Sequence, residues 1–145
     1  MEYAFELTSD RAETDSTFIW DQLYQFNMQF TEPDQHTLLK VFVRNEQGEL
    51  IGGLLGETAW RWLYTNILWV HEDYRHSGLG KQLMARAEAE AINRGCRHAY
   101  VDTLNFQAPD FYLKLGYTVW GVLEDFPPGH RRIFFQKDLS TSTNM

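Results

Sequence analysis

The chain is short of cysteine, proline, positive charge and long apolar runs, and each shortage closes off a class of protein. A single cysteine, Cys96, permits no internal disulfide and fits a reducing compartment, where its expected role is that of a small buried hydrophobe. Thirteen Lys and Arg stand against twenty Asp and Glu, for a formal charge of -7. A nucleic-acid binder needs a basic face for phosphates, so no nucleic-acid partner is expected. No stretch approaches the ~20 apolar residues of a membrane span. The start, "MEYAFELTSD", carries acids where a signal peptide needs bases. A soluble cytoplasmic protein with no membrane partner is the expectation. With four prolines and no repeat, there is no linker to divide 145 residues, a length suited to one core.

What the chain has in quantity is aromatic side chains: ten Phe, seven Tyr and five Trp. Residues 3–7, "YAFEL", alternate like a short strand. Phe18, Leu23, Phe26 and Phe30 recur at helical spacing and predict an amphipathic helix over 15–30, ending before Pro33. "HTLLKVFVRNEQGELIGGLLGETAW" reads as a hairpin turning at Asn45–Gly48, and 60–70 as a further strand. A helix is predicted over 79–94, with Leu83, Ala87 and Ala91 stacked four apart and Gly95 just past its end. Strand 98–104, a short helix 108–115, and strands "YTVWGVL" and "RRIFFQKDL" around "DFPPGH" complete the order. Strand–helix–strand units imply parallel pairing, and the two hairpins imply antiparallel pairing. The fold class is therefore α/β, one domain over 1–139, with a frayed tail at 140–145.

The segment "HEDYRHSGLGKQLM" (71–84) contains parts of three known motifs. A zinc helix places its histidines four apart, whereas His71 and His76 are five apart, so no metal is expected. A P-loop needs glycine at Arg75 and Ser or Thr at Gln82, and the dinucleotide turn needs glycine at Leu83. What remains is a loop with Gly78 and Gly80 running straight into a helix. The first N–H groups of a helix lack internal partners, and its dipole is positive there. With Arg75 and Lys81 alongside, this is an anion site suited to phosphate or pyrophosphate, or else an ordinary glycine-bearing loop.

R75-x-x-G78-x-G80, after "ILWV" and before an Ala-rich helix, resembles the acetyl-CoA motif of the GNAT superfamily of N-acetyltransferases. "DTLNFQAPDFYLKLGY" resembles the later motif of the same family, at the expected separation, and the likeness extends over nearly the whole chain. The resemblance implies a GNAT-like fold: a mixed, mostly antiparallel sheet flanked by helices, whose two central strands (here 62–70 and 98–104) splay apart to admit acetyl-CoA as co-substrate. It assigns the pyrophosphate to Arg75, His76, Ser77, Gly78, Leu79, Gly80 and Lys81. The main chain of Leu68, Trp69 and Val70 would pair with the amide arm, and Asn105 would hold that arm. Tyr112 matches the family's proton donor to the leaving thiolate; on its residues alone it is a core aromatic. Family members often carry proline where this chain has Glu72.

The amine that attacks has to lose a proton, and Glu57 and Asp102, both on strands beside the expected cleft, are the candidate bases. Trp20, Tyr24, Phe26, Phe30, Trp60, Trp62, Tyr64, Trp120 and Phe126, with Glu57, Glu124 and Asp125, suit a cationic small molecule, although core packing accounts for many of them. The expected activity is acetyl transfer to a primary amine of a small molecule by direct attack in a ternary complex. A protein lysine or N-terminal amine, or a non-catalytic acyl-CoA-binding module, are the alternatives. A homodimer is a further expectation, since exposed aromatic strands need covering.

Overall fold

A computed structural model describes residues 2–140. The chain divides into two units, one through Pro33 and one from Asp34 onward, and each is taken by itself.

The first unit holds helix α1 (Glu13–Asn27), opened by two acids in its first turn, where the dipole favours them. None of its side chains is buried; Trp20 stacks on Tyr24 at 5.3 Å and Phe26 tilts against Phe30 at 5.2 Å. The strand expected at 3–7 does not form. A strand exists only through ladder bonds to a neighbour, and here Phe5 and Leu7 are 95% and 98% exposed with no pairing partner.

The second unit is a six-stranded sheet: β1 (Thr37–Arg44), β2 (Leu50–Ala59), β3 (Trp62–Val70), β4 (His98–Leu104), β5 (Thr118–Glu124) and β6 (Arg131–Asp138), in spatial order β1-β2-β3-β4-β6-β5. Every pairing is antiparallel except β3 with β4. The mixed, mostly antiparallel sheet is as expected. The second strand–helix–strand unit departs in one respect: β6 inserts between β4 and β5, because β6 can satisfy the edges of both through antiparallel ladders. Trp60 and Arg61 are not strand. They form the two-residue turn between β2 and β3, both at positive φ, the geometry that matches strand twist.

Helix α2 (Leu79–Asn93) packs on β1, β2 and β3 through Leu83, Met84, Ala87 and Ala91, the four-residue stripe visible in the sequence. Helix α3 (Pro109–Lys114) brings Tyr112 into the core against Phe135 and Tyr117. The buried strand positions, Leu54, Leu63, Val101 and Phe135, alternate with residues on the opposite face of the sheet. Arg94, at the end of α2, ties the helix to the sheet by donating to the Leu38 carbonyl (3.2 Å) and Thr58 Oγ1 (3.0 Å). The tail expected to fray lies outside the described residues, apart from Ser140, whose N–H donates to Asp138 at 2.9 Å. No helix among the described residues is long and apolar enough to cross a membrane.

Two linked irregularities open the sheet. Between β2 and β3 the register slips: Leu55 faces Ile67 and Gly56 faces Thr65, so Asn66 is an extra residue. Gly56 is required there, since a Cβ would lie 2.5 Å from the Tyr64 carbonyl oxygen. The parallel ladder of β3 with β4 then stops at Thr65↔Val101. Thr65 Oγ1, buried at this last rung, is the one buried side-chain polar atom without a hydrogen bond among the described residues. An unsatisfied buried hydroxyl is destabilising, and valine has the same shape without it. Thr65→Val is expected to raise unfolding free energy by about 1 kcal/mol in urea denaturation; a loss of stability would show that the hydroxyl is satisfied.

Candidate active site

Beyond Thr65 and Val101 the two central strands diverge around a cavity of about 770 Å³. One wall is β3 from Asn66 to Val70, the other is β4 at Asp102 and Thr103 with Phe106, Gln107, Phe111 and Tyr112 beyond it, and the mouth is the 74–81 loop. β2 takes the other edge of β3, so the edge facing the cavity has no strand on it from Asn66 onward.

The mouth is built from backbone. His71 Nδ1 accepts the Asp73 N–H at 3.1 Å and caps a single 3-10 turn (Glu72–Tyr74). The chain then passes through left-handed φ at His76 (+63) and Gly78 (+85) into α2. The first α2 bond runs from Gln82 N–H to the Gly78 carbonyl, and the N–H groups from His76 to Lys81 find no acceptor among the described residues. No side chain caps this end and no acid lies in its first turn. The glycine-bearing loop thus leads into a helix end whose N–H groups are uncapped. Gly80 has a second reason to be glycine: a Cβ would meet the Phe111 ring at 3.3 Å, so α2 and α3 approach closely there. Arg75 is partly committed, its Nε donating to the Val70 carbonyl at 2.9 Å.

Of the residues predicted to hold a cofactor, Leu68, Trp69, Val70, Arg75, His76, Gly78, Leu79, Gly80, Lys81 and Tyr112 line the cavity. Ser77 and Asn105 do not. The Ser77 hydroxyl turns back to the Tyr74 carbonyl, and Asn105 clamps β4 to β6, its Oδ1 accepting the Arg131 N–H at 2.7 Å. The loop residues that do line the cavity are Phe106, Gln107 and Ala108, and Gln107 Oε1 accepts from the Leu104 N–H at 2.9 Å.

Around Asp102, which lines the cavity, polar groups converge. Asp102 Oδ1 accepts from Arg132 Nε (3.0 Å) and from its terminal nitrogen (2.8 Å). Asp102 Oδ2 accepts the Tyr64 hydroxyl proton at 3.1 Å, and Tyr64 Oη also lies 3.4 Å from Asn66 Oδ1. Tyr64 stacks on Tyr100 at 4.6 Å. Arg132 lies over Phe126 (4.8 Å) and Phe134 (5.2 Å). Glu57 stands one strand away, opposite Tyr64 and paired with His36, outside the cavity lining. Asp125, expected in an acidic slot, instead accepts the Gly129 N–H and shapes the β5–β6 turn. Trp20, Tyr24, Phe26 and Phe30 belong to the first unit. Sequence reasoning did not single out Asn66, Phe111 or Arg132; only Gly56 inside a strand signalled the bulge that creates this corner.

Burial, then the Asp102 carboxylate, push the Tyr112 phenol up to about 12. Burial, then the charge and hydrogen bond of Asp102, do the same for Tyr64, also to about 12. Tyr117 is raised further by burial and by Glu88, to which it donates at 2.8 Å.

The profile of the "Acetyltransferase (GNAT) family" matches residues 3–117. The chain belongs to the GNAT acetyltransferase family. This N-acetyltransferase is 45% identical to blasticidin-S acetyltransferase of Streptomyces morookaense over 65% of its own length and 70% of that protein. It is 38% identical to an acetyltransferase of Agrobacterium fabrum over 82% of its length and 87% of the relative. A Bacillus cereus acetyltransferase crystal structure superposes with a TM-score of 0.84 at 34% identity, covering 92% of this chain and 97% of that one.

The raised phenols carry a sign for stability. A tyrosine titrates near 10 when unfolded, so a folded value near 12 contributes stability that is fully present below about pH 10 and lost as pH climbs toward about 12. The acetyltransferase is expected to hold a constant melting temperature up to about pH 10 and lose it steeply above. Tyr112→Phe should flatten that loss, and a wild-type curve level to pH 12 would refute the burial argument.

Proposed function

We propose that this GNAT chain transfers an acetyl group from acetyl-CoA to the amine of a small molecule, by direct attack in a ternary complex within one acetyltransferase domain. The observation that carries it is one cavity lined both by the uncapped N-terminal turn of α2 and by Tyr112. The fit to acetyl-CoA is chemical. Free N–H groups of 76–81 suit the pyrophosphate, the edge of Leu68–Val70 that carries no strand suits an amide-bearing arm, and acetyl-CoA supplies the acetyl thioester.

Tyr112 holds the proton that the leaving sulfur needs. Against a thiol near 8.5, a phenol at about 12 makes that transfer uphill by roughly 5 kcal/mol, where an ordinary phenol near 10 would cost about 2. The donation is therefore late, made as charge collects on sulfur. A small-molecule acceptor is supported by the relative named for blasticidin-S and by the aromatic and acidic side chains around Tyr100, whose phenol is raised by burial and then by Glu57 and Asp102.

Acetyl-CoA at 100 times its Kd should stabilise the fold by about 2.7 kcal/mol, read as a rise in melting temperature. A panel of polyamines, antibiotics, amino acids and peptides, followed by free thiol release, should show turnover on a small amine. Tyr112→Phe is expected to lower kcat roughly 10²-fold and to spare acetyl-CoA affinity. Stabilisation with no turnover on any amine would mark a binding module, and no stabilisation would remove acetyl-CoA from the site.

A further inference from the structure

The corner where β3 and β4 part holds more chemistry than the donor side requires. Tyr64, Asn66, Asp102 and Arg132 come from three strands and meet at the last paired rung, on the face of the sheet away from α2. Asp102 lines the cavity together with Tyr112, so this corner adjoins the proton donor. The groups facing Tyr64 are Glu57 from β2, Tyr100 and Asp102 from β4, and Arg132 from β6.

We infer that Tyr64 is a further catalytic residue, which takes the proton of the acceptor amine and passes its own to Asp102. This rests on the reading of the chain as an amine acetyltransferase. The geometry distributes the roles. Tyr64 Oη donates to Asp102 Oδ2, which leaves a lone pair on the phenol oxygen to accept from an incoming N–H. Asp102 borders the cavity, but its Oδ1 is taken by two nitrogens of Arg132 and its Oδ2 by Tyr64. That ion pair, braced by Phe126 and Phe134, holds the carboxylate toward Tyr64. Glu57 is paired with His36, which leaves it a contributor to the local field.

The balance is complete without another reactant. The C–N bond forms as the C–S bond breaks, and sulfur receives the proton of Tyr112. The amine arrives as an ammonium and gives one N–H proton to Tyr64 Oη before attack, while the former Tyr64 proton moves to Asp102 Oδ2 and from there to water. The second N–H proton, released as the C–N bond forms, restores the one that Tyr112 gave to sulfur.

Tyr64→Phe keeps the ring stacked on Tyr100 and removes only the relay. Acetyl transfer is measured across pH 6 to 10 with the best amine of the panel at saturating acetyl-CoA, beside acetyl-CoA affinity by calorimetry and a melting curve. The expected result is a kcat lower by about 10- to 100-fold near neutral pH, a gap that narrows as pH rises and the amine arrives deprotonated, and an unchanged acetyl-CoA Kd. A loss equal at every pH, or no loss, overturns the inference and leaves the acetyltransferase reading standing. Wild-type protein that binds acetyl-CoA but acetylates no amine overturns both.

Discussion

One extra residue in β3 is the constraint on which the rest of the molecule depends. Asn66 has no counterpart on β2, and the strand can carry it only because Gly56 presents no Cβ to the Tyr64 carbonyl. A bulge bends its strand and increases local twist. Here the bend falls where β3 leaves β4, so the parallel ladder ends after four rungs and the far halves of both strands line a cavity rather than each other. The opening is thus a property of strand pairing. It does not need a long loop or a second domain, and its walls have the rigidity of the sheet.

The electrostatics follow from where that cavity begins and ends. At the mouth, α2 starts without a side-chain cap or an acid, a choice that costs helix stability unless an anion supplies the missing partner. Around Asp102, burial and the carboxylate keep Tyr64 and Tyr112 protonated far into the alkaline range. The mouth therefore favours bound negative charge, and the surroundings of Asp102 keep neutral hydroxyls ready to give or relay protons. The overall charge of -7 does not oppose the first, because N–H groups at a helix end act over a single turn.

The parts legible in the sequence are those governed by local spacing. The α2 stripe, the span of β4 at 98–104 and the glycine-opened helix end are all written within a few residues, and the structure keeps them. What could not be read depends on partners far along the chain. "YAFEL" alternates like a strand yet pairs with nothing, because alternation specifies a half-buried face and not the neighbour that completes a ladder. The insertion of β6 beside β4 is equally silent locally. It brings Arg132 to Asp102, thirty residues away, as the diagonal neighbour of the Leu104↔Arg132 rung. Asn105 matches a cofactor position by resemblance alone, and its Oδ1 serves to join the ends of two strands.

That long-range pairing also explains how a single carboxylate can serve both sides of the reaction. Asp102 lies one residue beyond the last parallel rung, where its side chain belongs to the acceptor face while its position borders the cavity. It raises the Tyr112 phenol through its field, and it accepts directly from Tyr64. A charge shared in this way places one carboxylate beside two phenols that burial already holds protonated. Shifting β4 by one residue against β6 would turn Asp102 to the α2 face and break both relations together. The register of one antiparallel ladder therefore sets which face carries Asp102 as well as the shape of the sheet.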